Sequence, residues 1–219
     1  MNARPILFSS AMVRALLDGT KTQTRRIVKD ADNGVTTCIE KNDEWPLHAV
    51  DKNGAWHPRQ CPYGKPGDLL WVRETWAMNS RATDLAKIYY KAHENRSHTE
   101  FHELVSVEGL PKKYQPTWPR FKPSIHMPKA FSRITLEITG VRVERLQDIS
   151  VADASAEGIF TPEIGYANLG ERAPIIQYGA LWESINGDGA WAINPWVWVV
   201  EFKVHKRNVD ELLRERGAA

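Results

Sequence analysis

Lys21, Thr22, Thr24 and Arg26 stand close together in the run Gly19-Thr20-Lys21-Thr22-Gln23-Thr24-Arg25-Arg26. A lysine kept neutral by burial can take a proton from a threonine hydroxyl. A guanidinium beside it can hold a carbonyl, a phosphate or a carboxylate. Nucleophile, base and oxyanion donor are what cleavage of an amide asks for.

The elements around the run set how those groups are presented. Ser9 to Asp18 reads as a helix: Ser9 or Ser10 caps it, Met12, Val13, Leu16 and Leu17 form an apolar stripe, and Gly19 supplies the left-handed stop. A strand follows, and alternation puts Thr22, Thr24 and Arg26 on one face and Gln23, Arg25 and Ile27 on the other. Two hydroxyls and a guanidinium on one face suit a polar cavity. Lys21 and Thr24, three apart, would leave an ideal strand on opposite sides. Lys21 is therefore expected in the turn after Gly19, its stem curled back beside Thr24.

A chain of 219 residues can bury a sizeable core. Its formal charge of +2 does not demand tight non-specific binding to a long duplex, and leaves a small polar ligand or a short single strand as partner. Cys38 and Cys61 are the only cysteines, too few for a disulfide framework, which predicts a reducing compartment. Met1 to Leu7 lacks the apolar run of a signal peptide and no segment is long enough to span a bilayer, so a cytoplasmic protein with no membrane partner is expected. Nine tryptophans are mostly core material. Trp118 lies outside any strand pattern, in the proline-rich stretch Gln115 to Pro128, and is the one best placed to stack on a base.

Further strands are predicted at Arg4 to Phe8, Leu69 to Thr75, Lys87 to Lys91, Ser132 to Leu146 and Pro195 to Val204, the fourth with a break, as a hairpin or sharp bend, at Gly140. Helices are predicted at Ser150 to Glu157, from a Ser150/Asp153 capping box, at Pro174 to Ile185, and at Val209 to Arg216. Asp30 to Gly64 reads as irregular, and His93 to Pro116 as mostly polar. Strands outnumber helices and no βαβ rhythm occurs, which predicts an α+β fold: a small mixed β-barrel with peripheral helices. Residues 1–205 are expected to form one domain with long insertions at about 30–64 and 92–128, and 206–219 a charged, helical tail.

The order of motifs resembles the ASCH domain, a branch of the PUA-like superfamily, in Leu17 to Arg26, Gly67 to Val72, Ile134 to Gly158 and Val197 to Phe202. Arg4 to Phe8, Trp71 to Trp76 and Pro123 to Pro128 are similar to the phage and prophage members. The resemblance implies a PUA-like barrel and a site like that of the bacterial amidohydrolases that remove the acyl group of N4-acetylcytidine. It puts the catalytic lysine on Lys21, the threonine on Thr24 and the glutamate on Glu157. No cofactor is implied. A carboxyl in the last helical turn, as at Glu157, suits proton transfer to a leaving amine.

Other groups could line such a pocket. Arg26 and Thr22 share the Thr24 face, and Ser124 and His126 lie in a loop between prolines. Glu74, if turned inward, would need a cation such as Lys21 or Arg26. Cys38, His48, His57 and Cys61 are zinc-type ligands, but their spacing fits no compact motif and no metal is expected. Three functions follow as expectations: hydrolysis of an N4-acylated cytidine or related nucleobase; RNA or modified-base binding through Lys21, Arg26 and Trp118; and metal-independent cleavage of single-stranded RNA by Lys21, Arg26 and His126.

Overall fold

The computed structural model describes residues 2–29, 37–39, 47–50, 56–82, 84–93, 102–107, 111, 114–159, 170 and 172–217. The elements run β1 (Ala3–Leu7), α1 (Ser10–Asp18), β2 (Gln23–Ile27), β3 (Thr37–Ile39), β4 (Leu47–Val50), β5 (Trp56–Arg59), β6 (Leu69–Arg73) and β7 (Trp76–Arg81). They continue with β8 (Leu85–Tyr90), β9 (His102–Ser106), β10 (Thr135–Arg145), α2 (Val151–Ala156), α3 (Ala173–Asn186), β11 (Trp196–His205) and α4 (Val209–Gly217). The chain divides into two compact units: Met1–Asp18, Asp68–Glu137 and Val204–Ala219 form the first, Gly19–Gly67 and Ile138–Lys203 the second. Strands β10 and β11 run through both.

In the first unit, the apolar run Leu69-Leu70-Trp71-Val72 is buried on both faces, as a central strand must be. It becomes β6, parallel to β1 and antiparallel to the start of β10, with Thr135 opposite Trp71. Val209 and Leu212 of α4 cluster with Leu69 and Trp71, so the predicted terminal helix is a packed element. A separate antiparallel sheet, β7-β8-β9, buries Trp76, Met78, Ile88 and Tyr90 against Met127 and Phe131. Two of these strands, β7 and β9, escaped the sequence reading: β7 starts one residue past the predicted end of β6, and β9 hides in a polar stretch.

In the second unit β2 pairs antiparallel with β11, Ile27 opposite Val197 and Gln23 opposite Glu201. Leu146, Ile149, Ala154, Tyr178, Trp182, Val197 and Val199 form its core, beneath α2 and α3. The stretch read as irregular contains β3, β4 and β5, an antiparallel sheet whose strands are too short to show a clear alternation. Strand β10 passes through Gly140 without the expected break. A Cβ at that position would lie 2.7 Å from Oε2 of Glu201, the far end of a half-exposed side chain. Among the described residues the strand orders are open, so the architecture is α+β without a closed barrel. None of the described helices is long and apolar enough to cross a membrane.

Candidate functional site: a buried lysine–glutamate couple

Three local signals in the second unit position the couple. Gly19, at φ +79°, turns the chain out of α1. The Ser150 capping box starts α2: its Oγ accepts from the Asp153 N–H at 3.0 Å, while Asp153 Oδ2 accepts from the Ser150 N–H at 3.3 Å. The same helix ends at Glu157, its C-cap. Lys21 and Glu157 then form an isolated antiparallel bridge, supported by a bond from the Thr22 N–H to the Ala156 carbonyl (2.8 Å).

That bridge sets the side chains against one another. The Lys21 ammonium donates to Glu157 Oε2 at 2.7 Å and to the Glu157 carbonyl at 2.9 Å. Lys21 is 0 % exposed and Glu157 4 %. The second carboxylate oxygen accepts from Arg25 Nη1 at 3.2 Å. Arg25 also bonds Glu144 Oε1 through Nε (3.0 Å) and Nη2 (2.5 Å), and lies 3.4 Å from Asp153 Oδ2. Gln23 donates to the Asp153 carbonyl at 2.9 Å. Arg142 ties Glu144, Asp153 and Glu201 together behind them. Tyr178 closes the site, its ring 5.9 Å from the Arg25 guanidinium carbon.

Burial pulls the Lys21 ammonium below the ordinary lysine value of 10.5; Glu157 opposes that, while Arg26 and Arg25 add to it. Burial pushes the Tyr178 phenol upward, and the charge of Glu157 pushes it further, so Tyr178 remains a protonated donor. The couple therefore holds a loosely bound proton in a dry place. An amine-bearing and a carboxyl-bearing side chain, the groups a base and an acid require, are thus in contact at 2.7 Å.

Lys21 and Glu157 thus meet, and Lys21 points to Glu157 rather than curling back along β2. Thr24 is buried in β2 opposite Val200, and alternation puts it on the strand face away from Gln23 and Arg25. Arg25, not Arg26, grips the carboxylate; Arg26 is half-buried opposite Trp198. The Thr22 side chain is exposed, and its backbone does the work, accepting from the Phe202 N–H at 2.9 Å. Glu74 lies in the first unit and does face inward, but its cation is Arg133, bonded at 2.8 and 3.0 Å, not Lys21 or Arg26. Trp118, Ser124 and His126 also belong to the first unit; Trp118 and His126 are exposed and Ser124 is half-buried. Cys61 is buried, and the side chains of Cys38, His48 and His57 lie outside the described residues.

Arg25, Glu144, Asp153, Gln23 and Tyr178 complete the site, and the sequence reading gave none of them a part in it. One signal was available: Lys21, Gln23 and Arg25 follow one another at a spacing of two, so on an extended chain they share a face. Comparison with known proteins finds no matching family model, no matching curated protein and no matching solved structure.

Proposed function

We propose that the protein is an amidohydrolase that removes the acyl group from an N4-acylated cytidine or a related acylated nucleobase. The observation that carries the reading is the fully buried Lys21–Glu157 couple at 2.7 Å. The substrate class comes from the resemblance of the Gly19 to Arg26 motif to the ASCH amidohydrolases. Neutral Lys21 accepts the proton of the attacking hydroxyl as its oxygen bonds to the acyl carbon. The C–N bond then breaks, and protonated Glu157 delivers its proton to the departing amine. Attack by water releases the carboxylic acid directly. Attack by Thr24 leaves an ester, to which water then adds, giving a proton to the Glu157 carboxylate while the Lys21 ammonium returns one to the departing Thr24 oxygen. Arg25 holds the Glu157 carboxyl in place and keeps negative charge tolerable there. The couple is closed in this structure, and turnover requires it to open to the substrate.

Ultraviolet-monitored hydrolysis of N4-acetylcytidine tests this. Wild type should turn over, while Lys21→Met and Glu157→Gln, shown folded by circular dichroism, should not. Absence of turnover in wild type, or full activity in either variant, would overturn the proposal. Thr24→Val identifies the attacking oxygen: its loss of activity assigns the Thr24 hydroxyl, and retained activity assigns water. A phosphate-binding role for Lys21 is less well supported, because its ammonium is already engaged by Glu157.

A further inference from the structure

The outer face of the β7-β8-β9 sheet, in the first unit, is built unlike an ordinary solvated strand surface. Register and alternation put Leu85, Lys87 and Tyr89 of β8 on it, flanked by Ala77 of β7 and by Leu104 and Ser106 of β9. The other face carries Trp76, Met78, Ile88 and Tyr90 into the core. On the outer face Leu104 is 66 % exposed and Leu85 41 %.

Trp118 lies across this face. Its indole stacks on Tyr89 with ring centroids 4.6 Å apart and planes at 28°, and Phe121 meets it edge-on at 5.7 Å. The Lys91 ammonium sits 5.4 Å from the Phe121 ring centroid. The segment carrying the indole is bonded down: the Thr117 and Trp118 N–H groups donate to the Met78 carbonyl at 2.7 and 2.9 Å, and Lys122 and Trp76 exchange backbone bonds. Even so held, Trp118 is 41 % exposed. A large aromatic ring fixed by its backbone and left in solvent is a preorganised stacking surface, because little side-chain entropy remains to be lost on binding.

The described cations on and beside this face are Lys87, Lys91 and Arg120. Arg120 and Lys91 are exposed, and Lys87 is half-buried in the middle of β8. The acidic residue of β9, Glu103, falls on the opposite face, where it meets Arg133 at 3.5 Å. Aromatic rings interleaved with cations match a phosphate-linked chain of bases. A protein interface would instead have a core depleted of charge.

We propose that this face binds single-stranded nucleic acid, with a base stacked on Trp118 and the backbone phosphates met by Lys87, Lys91 and Arg120. The site lies outside the Lys21–Glu157 couple and does not depend on the hydrolase reading. The test is fluorescence anisotropy of labelled oligo-dT and oligo-U of about 12 nucleotides, with a duplex of equal length as competitor. Wild type should bind the single strands in preference to the duplex, more weakly as salt rises. Trp118→Ala should weaken binding by about 5- to 150-fold, Trp118→Phe much less, and Arg120→Glu should weaken it while flattening the salt dependence. A preference for oligo-U would assign RNA through its 2′-hydroxyls, and equal affinity would assign contacts common to both strands; either sustains the proposal. No binding by folded wild type, equal affinity for the duplex, or unchanged affinity in Trp118→Ala would overturn it. Should the alanine variant not fold, unchanged affinity in Arg120→Glu would do the same.

Discussion

Among the described residues the second unit buries a lysine–glutamate pair, Lys21–Glu157, and the first an arginine–glutamate pair, Arg133–Glu74, and the two behave differently because the cations differ. Arg133 clasps Glu74 with two parallel bonds, 2.8 and 3.0 Å, and its guanidinium lies 4.0 Å from the Tyr90 ring centroid. Burial pushes the Glu74 carboxyl up while Arg133 restrains it. Against its own burial, Arg133 is raised by the Glu74 hydrogen bond and charge. A guanidinium does not give up a proton in the working range, so this pair is a fixed clasp. At Lys21 burial wins over the attraction of Glu157, and the ammonium is pulled toward release. Burial of an ion pair alone therefore says little about chemistry. What separates a clasp from an acid–base couple is whether the shared proton can move.

The largest expected effect sharpens that contrast. Lys21→Met should lower turnover of N4-acetylcytidine by about 10²- to 10⁴-fold. Arg133→Met should leave the turnover number near wild type and instead cost about 3–5 kcal/mol of stability, because it strands a buried carboxylate. Steady-state kinetics and urea unfolding of both variants measure the two effects. Equal losses of activity would erase the distinction.

The next prediction concerns pH. Lys21 binds its proton less tightly folded than unfolded, so the unfolded chain holds more protons between the folded value and 10.5. Stability contributed at this site rises with pH across that window and levels off above it. The activity profile should rise over the same limb, below 10.5, as neutral Lys21 accumulates. Arg133 should contribute no slope there. Unfolding midpoints and kcat/KM measured against pH check both statements, with Lys21→Met removing the rise.

Arg133→Lys makes the clasp resemble the couple. It sacrifices the two-pronged geometry while keeping the charge, and should cost about 1–3 kcal/mol without creating activity. Gly140→Ala should have the smallest effect. Its Cβ would meet the Glu201 carboxylate at 2.7 Å, and that side chain can swing aside, loosening Arg142 for a cost of about 1 kcal/mol. Urea unfolding measures both.

Much of the local structure was legible because its causes are local. The Gly19 stop, the Ser150/Asp153 capping box and the strand signal of Pro195 to Val204 depend on neighbours within a few residues, and each element appears where expected, although β11 is buried on both faces from Val197 to Val200 and not on one. Glu157 was placed at the end of its helix by the same logic. The short strands β3 to β5 were not legible, since three or four residues barely complete a pattern of period two.

The site divides along the same line. The amino-acid sequence by itself determined which groups are available: a lysine after a glycine turn, a threonine strand, a glutamate closing a capped helix. Only the tertiary structure decided how they pair. Lys21 reaches Glu157 across 136 positions, Arg25 reaches Glu144 across 119, and Glu74 finds Arg133 across 59. Such distant contacts are chosen by strand register and by which face each strand turns to the core, and a shift of one residue would have exchanged Arg25 for Arg26.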